Sequence, residues 1–281
     1  MIIWIASYPK SGNTWVRMFL KSYFQEPNEQ FRLSSSNLDS FNIQAFPQQK
    51  LLDQFNINYF KFEEIAKNWE NMQNYINLNN KTNFLKTHSS MCTVGPHKFT
   101  THQNTKGAIY LVRDPRDILV SYSHHLGLEY EKTFDILSSP LSFEYPSSKS
   151  HKGKNYKYSL IGSWSNHYNS WKTYKSCEVL IVKYEEMLSD PVGTFSKILE
   201  YLNKIDDVKI DSEKFKKSLK QTEFKELQKM EKIQGFDEKG MGDVFFREGR
   251  IGTWKKDVDI KIIRKMEKIF KKDMSELGYL S

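Results

Sequence analysis

The sequence predicts an α/β fold, a single domain in which helices flank a central parallel β-sheet. Short apolar runs alternate along the chain with segments whose apolar residues recur at helical spacing, as in strands joined by crossover helices. Two of these runs lead through a short loop directly into a helix. The 281 residues show no internal repeat or shift in composition that marks a boundary, so we expect residues 1–281 to form one domain.

The chain is basic and poor in cysteine. Lysine and arginine number 42 against 34 for aspartate and glutamate, a net charge of +8, which favours phosphates, sulfates, nucleic acid or acidic lipid headgroups as ligands. Cys92 and Cys177 fit no metal-ligand pattern, so neither a disulfide framework nor a metal site is expected. Because we find no signal-peptide pattern and no apolar run of about 20 residues, we expect a cytoplasmic protein without membrane insertion.

The first strand-to-helix junction carries the residues of an anion site. The apolar strand Ile2 to Tyr8 is followed by Pro9-Lys10-Ser11-Gly12 and then by a segment of helical spacing. The start of a helix presents unpaired N–H groups and the positive end of its dipole. Gly12 permits close approach of the backbone and Lys10 adds a mobile charge, so the loop is predicted to bind a phosphate or a similar anion.

The next elements form the neighbouring part of the sheet. A helical pattern from Phe62 to Ile76, within a polar region from Gln25 to Asn80, is predicted to cross over the sheet. A short strand within Thr82 to Ser90 then carries Lys86 and His88 at its carboxyl end. Open parallel sheets bind their ligands at the carboxyl ends of their strands, so we expect these two side chains at the ligand-binding edge.

A second strand-to-helix junction follows. The strand Ala108 to Val112 leads to Arg113, and Asp114 as N-cap with Pro115 at the first helical position predicts the start of a helix. Arg113 and Ser121, eight residues further on, could reach one phosphate. A surface arginine and an ordinary helix serine explain the same two residues equally well.

The second half of the chain continues the alternation. We expect a long loop or lid from Glu129 to Tyr158, a helix from Ile161 to Trp171 and a fourth strand from Val179 to Tyr184. The loop from Phe245 to Lys255 contains arginine and glycine and is predicted to be a flexible anion clamp. Two further helices are predicted from apolar residues on one face, the first from Phe195, Ile198, Leu199 and Leu202, the last from Ile262, Met266, Ile269 and Phe270.

Taken in order, these segments resemble the soluble sulfotransferases that use 3′-phosphoadenosine-5′-phosphosulfate (PAPS). Tyr8 to Trp15, YPKSGNTW, is similar to that family's 5′-phosphosulfate loop, and Arg113 to Tyr122, RDPRDILVSY, to its 3′-phosphate motif. Lys86-Thr87-His88 resembles the K-T-H that holds the family's catalytic base. Further similar segments follow in the family's order: Gly162 to Trp164, Lys183 to Met187, Thr222 to Phe224, and Arg247 to Lys255. The resemblance implies the sulfotransferase fold, which is related to that of P-loop nucleoside triphosphatases.

The resemblance also implies a role for each matched residue. His88 would be the general base, with Lys10 and Lys86 as the other catalytic residues. The 5′-phosphosulfate would be held by Lys10, Ser11, Gly12, Asn13 and Thr14. The adenine would lie between Trp15 and Phe224, with help from Tyr184 and Thr222. The 3′-phosphate would be bound by Arg113, Ser121, Arg247 and the amides of Glu248 and Gly249, and Phe246 is counted with the nucleotide-binding residues.

The implied activity is transfer of a sulfonate group from PAPS to a hydroxyl, or as second choice an amine, of a small molecule or glycan. PAP is the product, no metal is required, and no nucleic-acid partner is expected. Asn13 replaces a threonine of the family, and Glu248 places a carboxylate where the family often has lysine. The acceptor pocket would be built from Gln25–Gln54 and Glu129–Tyr158, where no motif identifies the acceptor, and a homodimer is possible but not indicated.

Two alternatives belong to other classes of function. A P-loop-like small-molecule kinase would bind ATP, but the chain lacks the G-x-x-x-x-G-K-[ST] motif and an evident acidic partner for Mg²⁺. A basic nucleic-acid-binding protein would concentrate its charge in an arm or a recognised motif, whereas here the charge is spread along the chain. The sequence therefore favours the sulfotransferase.

Overall fold

A sheet of five parallel strands lies at the centre of the computed structural model, which describes residues 1–34, 39–58, 61–144, 159–242 and 244–280. In chain order, the described strands are β1 (Ile2–Ser7), β2 (Gln44–Ala45), β3 (Asn83–Thr87), β4 (Thr93–Val94), β5 (His97–Lys98), β6 (Thr105–Val112), β7 (Phe143–Glu144), β8 (Ser159–Leu160) and β9 (Glu178–Lys183). The central sheet has the order β2-β3-β1-β6-β9, and the antiparallel pairs β4-β5 and β7-β8 lie outside it. The predicted fold class is confirmed.

Helices join the strands and cover the sheet. The described helices are α1 (Asn13–Phe24), α2 (Gln49–Gln54), α3 (Phe62–Lys67), α4 (Trp69–Asn77), α5 (Pro115–Leu126), α6 (Tyr130–Ser138), α7 (Trp164–Lys172), α8 (Tyr184–Ser189), α9 (Pro191–Asp206), α10 (Ser212–Gln221), α11 (Phe224–Gln234), α12 (Trp254–Asp257), α13 (Ile260–Ile269) and α14 (Lys271–Glu276). Helix α5 begins as predicted, because Asp114 accepts a hydrogen bond from the Arg116 N–H and Pro115 is the first helical residue.

The two faces of β1 pack against different hydrophobic clusters. Ile2, Trp4 and Ala6 belong to one cluster, together with residues of α3, α4, α7 and α13. Ile3 and Ile5 belong to a second, together with residues of α1 and α9. Because successive side chains of a strand point to opposite faces, burial of all five requires a helical layer on each side of the sheet. The loop after β1 is thereby held at the middle of the sheet's carboxyl edge.

Three expectations about individual elements are corrected. The helical pattern from Phe62 to Ile76 is broken at Asn68, where the backbone leaves the helical region with φ −103° and ψ 2°. The expected loop from Glu129 to Tyr158 contains α6 and β7, while its residues 145–158 lie outside the described residues. Ile269, assigned to the buried face of the last helix, is 55% exposed, because the buried stripe runs at a spacing of four through Ile262, Met266 and Phe270.

Candidate active site

A cavity of about 1200 Å³ opens where the strands of the sheet end. The loops after β1, β3 and β6 contribute Lys10, His88 and Arg113 to its lining, and Tyr184, the first residue of α8, follows β9 directly. The two regions expected to form the acceptor pocket also contribute, with residues from 42–48 and from 135–144. All the predicted site residues line this cavity except Ser11 and Thr222, and the hydroxyl of Thr222 donates a hydrogen bond to the Ser218 carbonyl at 2.7 Å instead.

The loop between β1 and α1 turns through left-handed backbone conformations. Lys10 has a φ of 69°, which is uncommon for a residue with a side chain and is found most often at functional sites. Gly12 has a φ of 96°, and a Cβ there would lie 2.7 Å from the Tyr184 ring, so only glycine fits. Helix α1 begins at Asn13. The Trp15 N–H donates to the Gly12 carbonyl at 3.0 Å, whereas the N–H groups of Asn13 and Thr14 precede the first carbonyl that the helix could offer them. This is the geometry of an anion cradle at the start of a helix.

The ammonium group of Lys10 lies against an aromatic ring of the cavity. Its Nζ is 3.9 Å from the centre of the Phe245 ring, which is a cation–π contact. Burial, and after it the nearby Arg113 guanidinium, lowers the pKa of Lys10 to about 8. The group is therefore mostly charged at neutral pH, and a bound anion beside it would favour the charged form further.

The amide of Asn13 is engaged by protein groups. Its Nδ2 donates to the Ile5 carbonyl at 2.9 Å and to Ser7 Oγ at 3.2 Å, and its Oδ1 accepts from Arg17 Nε at 2.9 Å. The side chain thus joins the start of α1 to the end of β1. A ligand in the cradle would meet the backbone N–H of Asn13 rather than its amide, and the predicted role of Asn13 in binding stays a prediction.

Arg17 and Glu238 form an ion pair at the same end of α1. Arg17 Nη2 is 2.6 Å from Glu238 Oε2 and 3.1 Å from Thr14 Oγ1, and the Thr14 hydroxyl donates to the same carboxylate oxygen at 3.2 Å. Burial would raise the pKa of Glu238, but the charges of Arg17 and Lys86 outweigh it and hold the pKa at about 2. The cavity therefore contains a charged carboxylate in contact with a residue predicted to bind the phosphosulfate.

Arg113 connects the two predicted phosphate subsites. Its Nη1 donates to the Lys10 carbonyl and its Nη2 to the Arg250 carbonyl, both at 3.1 Å, and its guanidinium lies 4.2 Å from the centre of the Tyr184 ring. Its Nε and the Oγ of Ser11 are buried with no hydrogen-bond partner in the described ranges. Buried polar groups are costly when unpaired. Arg113 lines the cavity, so its Nε fits a site in which a ligand oxygen accepts a hydrogen bond, whereas Ser11 does not line the cavity and its contact with the ligand stays a prediction.

The loop after α11 brings a second arginine and an aromatic contact. Arg247 Nη2 is 3.3 Å from the Glu248 carboxylate, and both side chains are about one-third exposed, so this ion pair is weak and open to competition by a phosphate. Gly249 has a φ of 59°, and a Cβ there would lie 2.6 Å from the Phe224 ring. The backbone at Gly249 therefore packs directly on the ring that is predicted to contact the adenine.

His88 is oriented by a backbone carbonyl. Its Nδ1 is 2.7 Å from the carbonyl oxygen of Ser7. Because a carbonyl only accepts, Nδ1 carries the proton of the neutral ring, and Nε2 keeps a free lone pair. Burial, and after it the charge of Lys86, lowers the pKa of His88 well below 6.5, so the ring is neutral at pH 7. His88 thus has the tautomer and protonation state that a general base requires.

The loop that carries His88 is held by a second buried histidine. His167 Nε2 is 3.1 Å from the His88 backbone carbonyl, and its Nδ1 is 2.9 Å from the Tyr110 hydroxyl. Lys86, two residues before His88, has its Nζ 3.8 Å from Glu144 Oε1, a distance at which the charges attract without a hydrogen bond. The predicted base His88 is therefore fixed from α7 and β6, and the charge of the neighbouring Lys86 is partly neutralised.

Arg17 and Glu238 contact residues of the predicted phosphosulfate loop but were not predicted as site residues. Arg17 follows Asn13 by four positions and Thr14 by three, which places the three on one side of a helix, so its spacing was a usable signal. Glu238 contacts Arg17 across 221 residues of sequence, and no local pattern marks it. Its position depends on the packing of the loop after α11.

The described part of the chain offers neither a metal-binding cluster nor a membrane-spanning helix. It holds no group of three or more histidine, cysteine, aspartate or glutamate side chains that could bind a metal ion. No helix within it has both the length and the apolar character to cross a membrane. Cys92 and Cys177 are both free thiols.

Comparisons with known proteins place the chain in a family. A family model described as "Sulfotransferase domain" matches residues 2–278. The chain is 25% identical to luciferin sulfotransferase of Photinus pyralis over 294 residues, which cover 99% of this chain and 72% of that protein. It is 30% identical to sulfotransferase 2A6 of Rattus norvegicus over 174 residues, which cover 59% and 56%. The crystal structure of mouse sulfotransferase SULT7A1 complexed with PAP is similar with a TM-score of 0.58 at 20% identity, covering 98% of this chain and 84% of that one, and so shares the fold.

Proposed function

The chain belongs to the sulfotransferase domain family, and on this basis we propose that it transfers a sulfonate group from PAPS to a hydroxyl, or as second choice an amine, of a small-molecule or glycan acceptor. The observation that carries the proposal is the meeting of two cationic subsites and a neutral histidine in one cavity. Lys10 and the start of α1 form one subsite, and Arg113 with Arg247 forms the other. A nucleotide with anionic groups on both its 5′ and 3′ positions matches these two subsites.

The residues present fit the donor. The unpaired Arg113 Nε lines the cavity and offers a hydrogen bond to the donor's oxygens, and Ser11 Oγ is predicted to offer another. The glycines bring backbone close to two aromatic rings. Trp15 and Phe224 line the same cavity and would enclose the adenine. Ser121 would add a hydroxyl to the 3′-phosphate subsite. The family resemblance and these unpaired donors together support PAPS as the cosubstrate.

Bound PAPS supplies the sulfonate, whose S–O bond to the 5′-phosphate breaks as a new S–O bond forms to the acceptor oxygen. His88 Nε2 takes the proton of the acceptor hydroxyl, a contribution that is commonly about 10²–10⁴-fold in rate. Lys10, charged at neutral pH, stabilises the negative charge that the 5′-phosphate of the product PAP acquires. Lys86 adds a second cation beside the base, so the chain's own residues handle both the proton and the leaving charge.

Several parts of the proposal go further than family membership. The acceptor would enter beside His88, through the part of the cavity lined by residues 42–48 and 135–144. Whether it is a small molecule or a glycan, whether the protein forms a homodimer, and whether it acts in the cytoplasm stay predictions. An acceptor screen with PAPS carrying a labelled sulfonate would identify the acceptor class.

The role of His88 is tested by substitution with alanine. We expect His88→Ala to lower kcat by about 10²-fold or more, because the acceptor proton loses its base. The affinity for PAP should stay within about threefold, since the base contacts the acceptor rather than the nucleotide. Turnover with the identified acceptor and titration calorimetry with PAP measure the two quantities.

The exposed His102 provides the matched control. His102→Ala removes an imidazole outside the cavity and should leave both turnover and PAP affinity unchanged. Loss of PAP binding in a folded His88→Ala protein would show that His88 holds the nucleotide. Unchanged turnover would remove it from the mechanism.

A further inference from the structure

The carboxylate of Glu238 lies at the part of the cavity where the start of α1 and Arg17 suit an anion. Its Oε2 is in contact with Thr14 Oγ1 and with the Arg17 guanidinium, at the helix start that is predicted to hold the donor's phosphosulfate. A negative charge at this place opposes the binding of a negatively charged donor. The donor and the carboxylate therefore compete for the same cations.

The segment that carries Glu238 also links the predicted donor part of the site with α5. On one side it contacts Thr14 of the first loop. On the other side, the residues just after Glu238 pack on α5 at His125, which lines the cavity: the Met241 N–H donates to the His125 carbonyl at 2.9 Å. In a transfer reaction, the group that moves must lie between the leaving oxygen of the donor and the incoming oxygen of the acceptor. A sulfonate held by the first loop would compete with this carboxylate for the Thr14 hydroxyl and the Arg17 guanidinium.

Arg17, the partner of Glu238, has a buried guanidinium that is stabilised by an adjacent anion. Arg17 is 6% exposed, and in the described ranges its only carboxylate partner is Glu238. Removal of that carboxylate would leave a buried guanidinium without a counter-charge, which is strongly unfavourable unless another anion replaces it. A sulfonate has ionised oxygens that accept hydrogen bonds from guanidinium and hydroxyl groups as a carboxylate does.

We propose that Glu238 occupies the subsite of the transferable sulfonate when no donor is bound, and that Arg17 binds the sulfonate once Glu238 has withdrawn. The inference rests on the proposed function, since it requires PAPS as the donor. Asn13 takes part by positioning Arg17, whose Nε it holds at 2.9 Å. The pairing of Asn13 with Arg17 thus gives the Asn13 amide a structural role at a position where the resembling family has threonine.

The test compares the dissociation constants of PAPS and PAP, measured by titration calorimetry without an acceptor. PAP lacks the sulfonate and should bind with Glu238 in place. We expect Glu238→Gln to tighten PAPS binding by about tenfold, because fewer molecules are then held in the state that excludes the sulfonate. The same variant should leave PAP affinity within about threefold of the original protein.

Two further variants separate the subsite from general charge effects. Asp237→Asn removes an exposed carboxylate from the neighbouring position and should leave both affinities within about threefold. In the double variant Arg17→Gln with Glu238→Gln, neither partner is left as an unpaired charge, so the fold should be retained. The gain in PAPS affinity should disappear in this double variant, because the sulfonate loses its guanidinium.

An equal gain for PAP and PAPS in Glu238→Gln would overturn the assignment, because the carboxylate would then oppose the phosphates and not the sulfonate. The absence of any gain for PAPS, or an equal gain in Asp237→Asn, would overturn it as well. A gain that persists in the double variant would remove Arg17 from the sulfonate subsite. If the unaltered protein binds neither PAP nor PAPS, the proposed function itself fails, which is a different and separable result.

Discussion

At neutral pH His88 is uncharged and Lys10 is mostly positively charged, and their surroundings explain both states. Burial and the charge of Lys86 lower the pKa of His88 well below 6.5, so the ring is neutral and able to accept a proton. Burial and Arg113 lower the pKa of Lys10 to about 8, so it is still mostly charged. The same physical effect, loss of solvation, thus makes His88 a neutral ring that can accept a proton and leaves Lys10 a cation that titrates near pH 8.

The lowered pKa of Lys10 predicts an alkaline limit to donor use. A group with a pKa of about 8 is charged below that pH and loses its charge above it, so kcat/KM for PAPS should fall as pH rises through about 8. His88 is already neutral at pH 6.5, so no matching fall from His88 is expected between pH 7.5 and 6.5. Initial rates at limiting PAPS across pH 6 to 10 measure both the alkaline decline and the acid side of the pH profile.

Lys10→Arg supplies the control for this pH profile. Arginine stays protonated throughout the range, so the decline near pH 8 should disappear even if the absolute rate is lower. An unchanged decline in Lys10→Arg would assign the titration to another group. A fall in rate between pH 7.5 and 6.5 that His88→Ala abolishes would contradict the neutral state of His88.

At the scale of elements, one aspartate of α5 holds the loop that carries the second arginine. Asp117 is 2% exposed, and its carboxylate accepts from the Gly252 N–H at 2.7 Å and the Thr253 N–H at 2.9 Å. The loop from Arg247 to Thr253 is otherwise linked to the sheet through Arg113, which donates to the Arg250 carbonyl. The loop that carries the predicted 3′-phosphate subsite is therefore anchored at its far end by a carboxylate that need not touch the ligand, while Gln228 Nε2 donates to the Arg247 carbonyl at 3.0 Å.

Asp117→Ala should destabilise the protein and loosen this loop. Hydrogen bonds to a charged group are worth roughly 1.5–3 kcal/mol each, and after partial rescue by water we expect the free energy of unfolding to fall by about 3 kcal/mol. PAP affinity should fall by about tenfold, because Arg247 is no longer held near Arg113. Chemical denaturation and titration calorimetry measure the two effects.

The exposed Asp53 serves as the matched position, and Asp53→Ala should change neither quantity. If Asp117→Ala lowers stability and leaves PAP affinity as it was, the loop does not position the 3′-phosphate subsite. If stability is also unchanged, the carboxylate does not anchor the loop.

The sequence could predict elements and residues whose reasons are local. The start of α5 follows from Asp114 and Pro115, and the left-handed turn of the first loop requires Gly12. Contacts between distant segments could not be derived in this way, since the position of Glu238 depends on how the loop after α11 packs. The break at Asn68 also escaped prediction, because the apolar spacing on either side of it continues as in one helix.

At the scale of the whole molecule, the parallel sheet explains why motifs scattered over the sequence meet in one cavity. The strands β1, β3, β6 and β9 run in the same direction, so their carboxyl ends and the loops that follow lie along one edge. Helical layers on both faces bury the strands and fix that edge. The motifs that follow these four strands therefore meet at one edge of the sheet, and Phe224 and Arg247 reach the same cavity from α11 and the loop after it.

This arrangement makes donor recognition the property that most clearly separates a sulfotransferase from a kinase or a nucleic-acid-binding protein. A sulfotransferase should bind a nucleotide with 5′- and 3′-phosphates, and the chain's own lysine and arginines would neutralise it. A kinase would instead bind ATP with Mg²⁺. A nucleic-acid-binding protein would show no preference for the free nucleotide.

The most direct measurement is titration calorimetry of the full chain with PAP in the presence of EDTA, beside ATP with and without Mg²⁺. We predict one PAP bound per chain with a dissociation constant in the micromolar range or below, about −8 kcal/mol or more favourable, and much weaker ATP binding. Binding of ATP that requires Mg²⁺, with no detectable binding of PAP, would contradict the account.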